Sequence, residues 1–269
     1  MLKKLFMLFK IGRRLSASGA ISSIYEIYNP PIIIKIIFFV IGFSFEDKKN
    51  YKNLSSGAKL CNALQEMGTT FIKLGQFLAT RPDIIGEDVA KELEKLQDKL
   101  PAFNLSEAKS TLEKELEKEN FEQITNISEP VAAASIAQVH FAEINVSGQK
   151  KYIAIKILRP DIERIFNEEL DALMLLAYII QSVIKKTKRL KLVEIVQLLR
   201  EITNVEMDLR FEAAAANELY ENTKKDIGFK VPKIYWNQTS KKVLCIDRVD
   251  GFSIREVEKL KSQNIDVKK

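Results

Sequence analysis

Two strand-like apolar runs closed by a tight turn constrain this 269-residue chain more than any other feature. Val139, Phe141 and Ile144 mark the first run, Ser147-Gly148 the turn, and Tyr152 to Leu158 the second. Pro130 opens the segment in an extended conformation, and Ala132, Ala133, Ala134 and Ser135 stand just ahead of the first strand. In isolation an alanine run reads as helix or packing. Between an extended entry and a hairpin it reads instead as a small-residue loop. In the second strand Lys156 lies among Ile153, Ile155 and Ile157, where a solvated lysine is little expected, although a strand-edge lysine is the plainer alternative.

Ile153-Ala154-Ile155-Lys156 has the form of the strand lysine of protein kinases, which pairs with nucleotide phosphates and with a glutamate from a helix packed behind. Kinases place a glycine-rich loop ahead of that strand. Alanines still let a backbone approach phosphates closely but forbid most conformations with φ > 0. The expected roof is therefore stiffer.

Further blocks carry a family resemblance. Phe71-Ile72-Lys73-Leu74-Gly75-Gln76-Phe77-Leu78-Ala79-Thr80-Arg81-Pro82-Asp83 matches a KxGQ signature, Leu158-Arg159-Pro160 follows the lysine strand, and Glu206-Met207-Asp208-Leu209-Arg210-Phe211-Glu212 through Asn217 looks like an ExD helix. In this order, from about residue 55 to about residue 255, the blocks resemble the UbiB atypical kinase-like proteins of ubiquinone (coenzyme Q) biology. The resemblance implies an α+β fold, namely a protein-kinase-like N-lobe of antiparallel sheet plus helix, preceded by a helical KxGQ extension. It implies that Glu212 pairs with Lys156, and that Glu206 and Asp208 form an acidic cluster approached by Lys73 and Gln76 around Gly75. It further implies ATP or ADP as ligand, held by Ala132, Ala133, Ala134, Ser135, Lys156 and the hinge at Asp247, with Mg²⁺ accompanying the nucleotide.

Spacing agrees in part. Asp208 and Glu212 are four apart and share a face if one helix runs from Leu192 to about Tyr220, while Glu206 points away from Asp208. A solvated acidic face beside Arg210 is the bland alternative. Val231 to Trp236 and Lys242 to Asp247 read as two short strands around Asn237-Gln238-Thr239-Ser240, completing the sheet. Asp247-Arg248-Val249-Asp250-Gly251 then resembles the hinge that meets the adenine, on no more than an Asp-Gly turn.

A complete kinase also needs a catalytic-loop Asp and Asn and a metal-binding Asp of the DFG type. The single histidine, His140, precedes Phe141-Ala142, and no Asp-Phe-Gly occurs. The expectation is a chain without its C-lobe, with Mg²⁺ ligands elsewhere and little turnover alone. Two cysteines, Cys61 and Cys245, make no disulfide framework, and one histidine leaves no His-rich metal site. Both cysteines read as core.

The net charge of +6 is concentrated at the start. Lys3, Lys4, Lys10, Arg13 and Arg14 alternate with Leu2, Leu5, Phe6, Met7, Leu8, Phe9 and Ile11, the pattern of a basic amphipathic helix for an anionic membrane surface. Lys10 interrupts the apolar stretch, which argues against a cleaved signal peptide. Ile32 to Phe43, behind Pro30-Pro31, is shorter than the roughly 18 apolar residues of a membrane span and contains Lys35, so it reads as interfacial or buried, with a tilted span as the minority reading.

Elsewhere helices are expected over Ser55 to Met67 and Glu87 to Lys99, after Asn104 with Glu107 as cap, and from Asp161 through the apolar stretch Ala172 to Ile184 to the basic cluster Lys185 to Lys191. The cluster reads as a solvated turn, or more sharply as membrane contact. The domain reading is residues 1–50 as a membrane-proximal segment, 51–120 as the KxGQ extension, and 121–269 as the lobe up to the hinge. The functional expectation is a membrane-associated ATP-binding kinase- or ATPase-like protein of ubiquinone biosynthesis, peripheral on the cytoplasmic face of the inner (cell) membrane. Its partners would be a C-lobe polypeptide and ubiquinone-pathway enzymes. A noncatalytic regulatory or lipid- and nucleotide-binding module, one half of a split or degraded gene, is the alternative. No aromatic-basic motif accompanies the charge, so nucleic acid is not an expected partner.

Overall fold

The computed structural model describes residues 2–18, 20–21, 24–25, 30–41, 54–96, 100–146, 148–183, 185–252, 254 and 256–263. Helices come first, among them α1 (Leu2–Ala17), α2 (Ile32–Ile41), α3 (Ser56–Met67), α4 (Thr69–Ala79), α5 (Pro82–Ile85) and α6 (Glu87–Leu93). They enclose one apolar cluster, in which Leu8, Ile11 and Leu15 of α1 meet Leu60, Leu64, Phe71 and Leu93. Gly68 joins α3 to α4 with φ +94, a left-handed conformation open to glycine at little cost. The helix expected to reach Lys99 ends at Leu93, and residues 97–99 lie outside the described residues.

The second part begins with α7 (Leu105–Glu115) and α8 (Lys118–Glu122). The backbone N–H of Asn104 donates to Glu107 Oε2 at 3.2 Å, so the expected cap is present. A five-stranded antiparallel sheet follows: β1 (Ile124–Thr125), β2 (Pro130–Ala133), β3 (Ala137–Val146), β4 (Gln149–Leu158) and, much later, β5 (Val243–Asp247). β1 and β2 both pair with β3, and β4 lies between β3 and β5. The period of two sends Ile153, Ile155 and Ile157 to one face with Ala142, Ile144, Val243 and Cys245, where Ala108 and Leu112 of α7 cover them. Lys156 is paired with Val139 on one side and Leu244 on the other, and shares their face. The tight turn of the hairpin has Gly148 at φ +78, while Ser147 lies outside the described residues.

Between β4 and β5 run α9 (Ile162–Val183), α10 (Leu192–Glu206) and α11 (Leu209–Thr223), and α12 (Val257–Ser262) follows β5. Two expectations are corrected here. The helix from Leu192 to Tyr220 is two helices, because Asp208 leaves helical geometry (φ −119, ψ 95) and its side chain accepts the N–H of Arg210 as a new N-cap. The backbone N–H of Leu209 turns away to Lys241 O at 2.9 Å. The strand expected over Val231 to Trp236 is reduced to a single bridge, Ile234 to Ile246, followed by a 3₁₀ turn at Trp236–Gln238. Pro232, with no N–H, cannot extend a ladder there. Cys245 is buried as expected, whereas Cys61 is half-buried. No described helix is long and apolar enough to cross a membrane.

Candidate functional site

Lys156 and Glu212 meet in front of the sheet. Lys156 Nζ donates to Glu212 Oε2 at 2.7 Å, the two side chains being 29% and 51% exposed. Glu212 reaches this point because α11 lies close on β5. Leu209 and Ala213, one turn apart, are buried against Leu244, and Ala213 and Ala216 keep that face of the helix thin. Val139 and Ala154, half-buried, continue the lysine's face outward. A flat nucleotide base and its phosphates require such a surface: a narrow apolar shelf with one cation at its end.

The roof over the shelf is only partly accessible. Ala132 is exposed and Ala133 and Ala134 are half-buried, but Ser135 is 1% exposed and its hydroxyl has no hydrogen-bond partner. Thr69, the first residue of α4, donates from Oγ1 to Ser135 O at 2.9 Å. The KxGQ helix thus touches the roof at its own N-terminus.

Farther along α4, Lys73 Nζ lies 2.9 Å from Glu206 Oε2. That oxygen is sealed from solvent and the ammonium approaches it outside hydrogen-bond alignment, so the contact is an ion pair. Gly75 is a close-approach position: a Cβ there would stand 2.2 Å from Leu96 Cδ1 and 2.9 Å from Leu64 Cδ1. Gln76 is half-buried. Asp208 does not share the Lys73 pairing expected from the motif. Both carboxylate oxygens are taken by the Arg210 fork, at 2.9 and 2.6 Å, and the Arg210 hydrogen bonds hold its pKa below the usual carboxylate value.

At the end of β5, Asp247 Oδ1 accepts the Tyr235 hydroxyl at 2.7 Å, and the next amide, Arg248 N–H, is spent on Tyr152 O at 3.1 Å. Burial, together with that acidic neighbour, raises the Tyr235 pKa. Among the described residues no group of three or more His, Cys, Asp or Glu could hold a metal ion.

Arg159, which the sequence marks only as one letter of the Leu158-Arg159-Pro160 block, holds three backbone segments together. Its Nε and Nη2 donate to Ala134 O at 3.1 and 2.7 Å and its Nη1 to Pro101 O at 2.9 Å. In the sequence its one signal is its place at the end of the lysine strand, three residues after Lys156.

A lysine on the central strand of an antiparallel sheet, held by a glutamate from a helix laid across that sheet, defines the N-lobe of the protein-kinase class. Residues 95–269 match the ABC1 atypical kinase-like domain. Over 216 residues the chain is 36% identical to proteins called "Probable protein kinase UbiB" from Marinobacter nauticus and from Pseudomonas paraeruginosa, covering 80% of this chain and 39% and 40% of theirs. A namesake from Pseudomonas fluorescens is 32% identical over 239 residues, covering 88% and 44%. The chain therefore belongs to the ABC1 atypical kinase-like family, the UbiB type. It spans about two fifths of the length of these relatives.

Proposed function

We propose that this chain is the nucleotide-binding lobe of a membrane-associated atypical kinase or ATPase that acts in ubiquinone biosynthesis. The Lys156–Glu212 ion pair at 2.7 Å carries the reading, since it aims an ammonium at the position of a nucleotide's phosphates. ATP or ADP would lie along Val139 and Ala154 beneath Ala132–Ala134. Lys156 would bind phosphate oxygens, Glu212 would hold Lys156 in place, and the Asp247–Arg248 backbone would border the adenine. Mg²⁺ would arrive with the nucleotide; no protein ligand set for it stands among the described residues, and no step is assigned to it. Phosphoryl transfer or ATP hydrolysis is proposed for the assembly containing this lobe, with a C-lobe polypeptide and ubiquinone-pathway enzymes as partners. α4 packs beside the roof, which favours a small or lipid-like substrate over a protein.

For the membrane part of the reading, α1 and α2 supply the support. Leu2, Phe6 and Phe9 recur on one exposed face of α1, and Ile32, Ile36, Phe39 and Val40 are exposed on α2 beside it. Lys3, Lys10 and Arg13 are exposed in the same helix, which suits an anionic surface on the cytoplasmic face of the inner (cell) membrane. The enclosed Ser135 favours a second reading, a noncatalytic regulatory module whose roof is held shut. Calorimetric titration of the full chain with ATP and with ADP separates the two. Saturable binding that Lys156→Met weakens by about tenfold or more, with the fold retained, supports the nucleotide lobe; indifference to Lys156→Met sinks it.

A further inference from the structure

No side chain of the turn Ala134-Ser135-Ile136 makes a hydrogen bond, although Ile136 is buried in the core, yet each of the three carbonyls is tied down. Ala134 O accepts from the Arg159 guanidinium, Ser135 O from the Thr69 hydroxyl at 2.9 Å, and Ile136 O from the Arg159 backbone N–H at 2.8 Å. Two of the three ties belong to Arg159. The Ala134 N–H is meanwhile closed onto Ala137 O at 2.7 Å, completing a rigid turn.

Arg159 is in turn anchored from behind. Nη1 donates to Pro101 O, Nη2 lies 3.5 Å from Leu100 O, and the guanidinium carbon stands 5.8 Å from the centre of the Phe103 ring. Phe103 is fixed by Gln138, whose amide accepts the Phe103 N–H at 2.9 Å and donates to Phe103 O at 3.1 Å. Gln138 and His140 meet at 2.8 Å, and His140 reaches Ser128 O at 2.8 Å, so the anchor extends into β3. Every hydrogen-bond acceptor of the guanidinium is a neutral carbonyl, and among the described residues no carboxylate pairs with it. Lys156, three residues earlier, is neutralised by Glu212. Burial alone shifts the Arg159 pKa, downward.

We propose that Arg159 is a positioning residue for nucleotide binding: it holds the alanine-rich turn by the Ala134 carbonyl, so that the turn is preformed where the phosphates would lie. The inference rests on the nucleotide reading given above. Preorganising a loop raises affinity by removing the cost of ordering it on binding. The turn would border the phosphates and not the base, so the gain falls on ATP and not on adenosine.

Full-length chain carrying Arg159→Gln or Arg159→Lys tests this with ATP and adenosine as probes. Arg159→Gln is expected to weaken ATP by about tenfold and adenosine by less than about twofold. Arg159→Lys keeps the charge but loses the fork and should fall between. Equal weakening of both probes, or no weakening of ATP, overturns the proposal, because a purely structural role would not discriminate by phosphate. Amide hydrogen exchange provides a ligand-free arm: Arg159→Gln should speed exchange at Ala134 to Ala137 while leaving β4 protected. Unchanged exchange there also sinks the positioning role. If the wild-type chain binds neither probe, the nucleotide reading falls and takes this inference with it.

Discussion

Lys73 and Glu206 face each other 2.9 Å apart between the KxGQ helix and the end of α10, the lysine 16% and the glutamate 37% exposed. Two helices well separated in the sequence, α4 and α10, are thereby fixed to each other. The pair is half-shielded, so its loss should cost more than a surface pair and less than a fully buried one.

Lys73→Met is expected to destabilise the chain by about 1–2 kcal/mol, since it strands a carboxylate oxygen sealed from water. Adding Glu206→Leu should recover most of that loss. Urea unfolding of the two single variants and the double variant measures the coupling, and strictly additive costs would show that the ion pair contributes nothing.

Gly75→Ala should lower stability by about 1 kcal/mol or more although alanine is the better helix former, because its Cβ would meet Leu96 and Leu64 below contact distance. Shortening the obstacle with Leu96→Ala in the same chain should reverse part of the effect. Thermal melts report both. A stabilised Gly75→Ala would mean the neighbouring leucines yield freely.

Glu169 predicts a pH effect with a definite sign. Its carboxyl on α9 is buried, and burial raises its pKa from the usual 4.5 despite the nearby Arg14 and Lys10 charges. The folded state therefore holds this proton more tightly than the unfolded one, so the group's contribution is fully present below the unfolded pKa and is lost as pH rises through the raised value. Glu169→Gln, a fixed neutral analogue, should gain on the wild type as pH climbs above the ordinary carboxylate range. Melting both proteins from pH 4.5 to 8 checks it; a gap that narrows with pH contradicts the sign. Other acids move oppositely: Arg200 and Lys4 hold the Asp171 pKa low, so the comparison must be a difference between variant and wild type.

Membrane binding should depend on side chains that the core does not use. Deleting α1 is a poor test because Leu8, Ile11 and Leu15 are buried in the helical cluster. Phe6→Ser with Ile32→Ser removes exposed apolar side chains only, and is expected to reduce sedimentation with phosphatidylglycerol vesicles without lowering the melting temperature. Added salt should weaken wild-type binding. Unchanged sedimentation of the double variant would exclude these faces as the contact.

Much of the lobe was legible in the sequence because its signals are local or periodic. The alternation of Ile153, Ile155 and Ile157 around Lys156 predicts the strand and the lysine's separate face, and Asn104 with Glu107 announces the start of α7. The break at Asp208 was not legible: a helix-compatible acid becomes a cap only because Lys241, more than thirty residues later, draws off the Leu209 amide. The Arg210 fork on Asp208 likewise changes which acid faces Lys73. Arg159 was missed for the same reason. A charge whose partners are all backbone carbonyls leaves no complementary residue in the sequence to suggest it.

The joint at Asp208 also frees the two acids from a common phase. On one continuous helix, Glu206 and Glu212 would be locked about 240° apart around the axis and about 9 Å along it, and any shift of the KxGQ contact would turn the strand-lysine contact with it. With α10 ending at Glu206 and α11 starting afresh at Leu209, each glutamate answers to its own axis. The direction of the helix that grips the KxGQ segment therefore does not dictate the bearing on the sheet of the one that steadies Lys156.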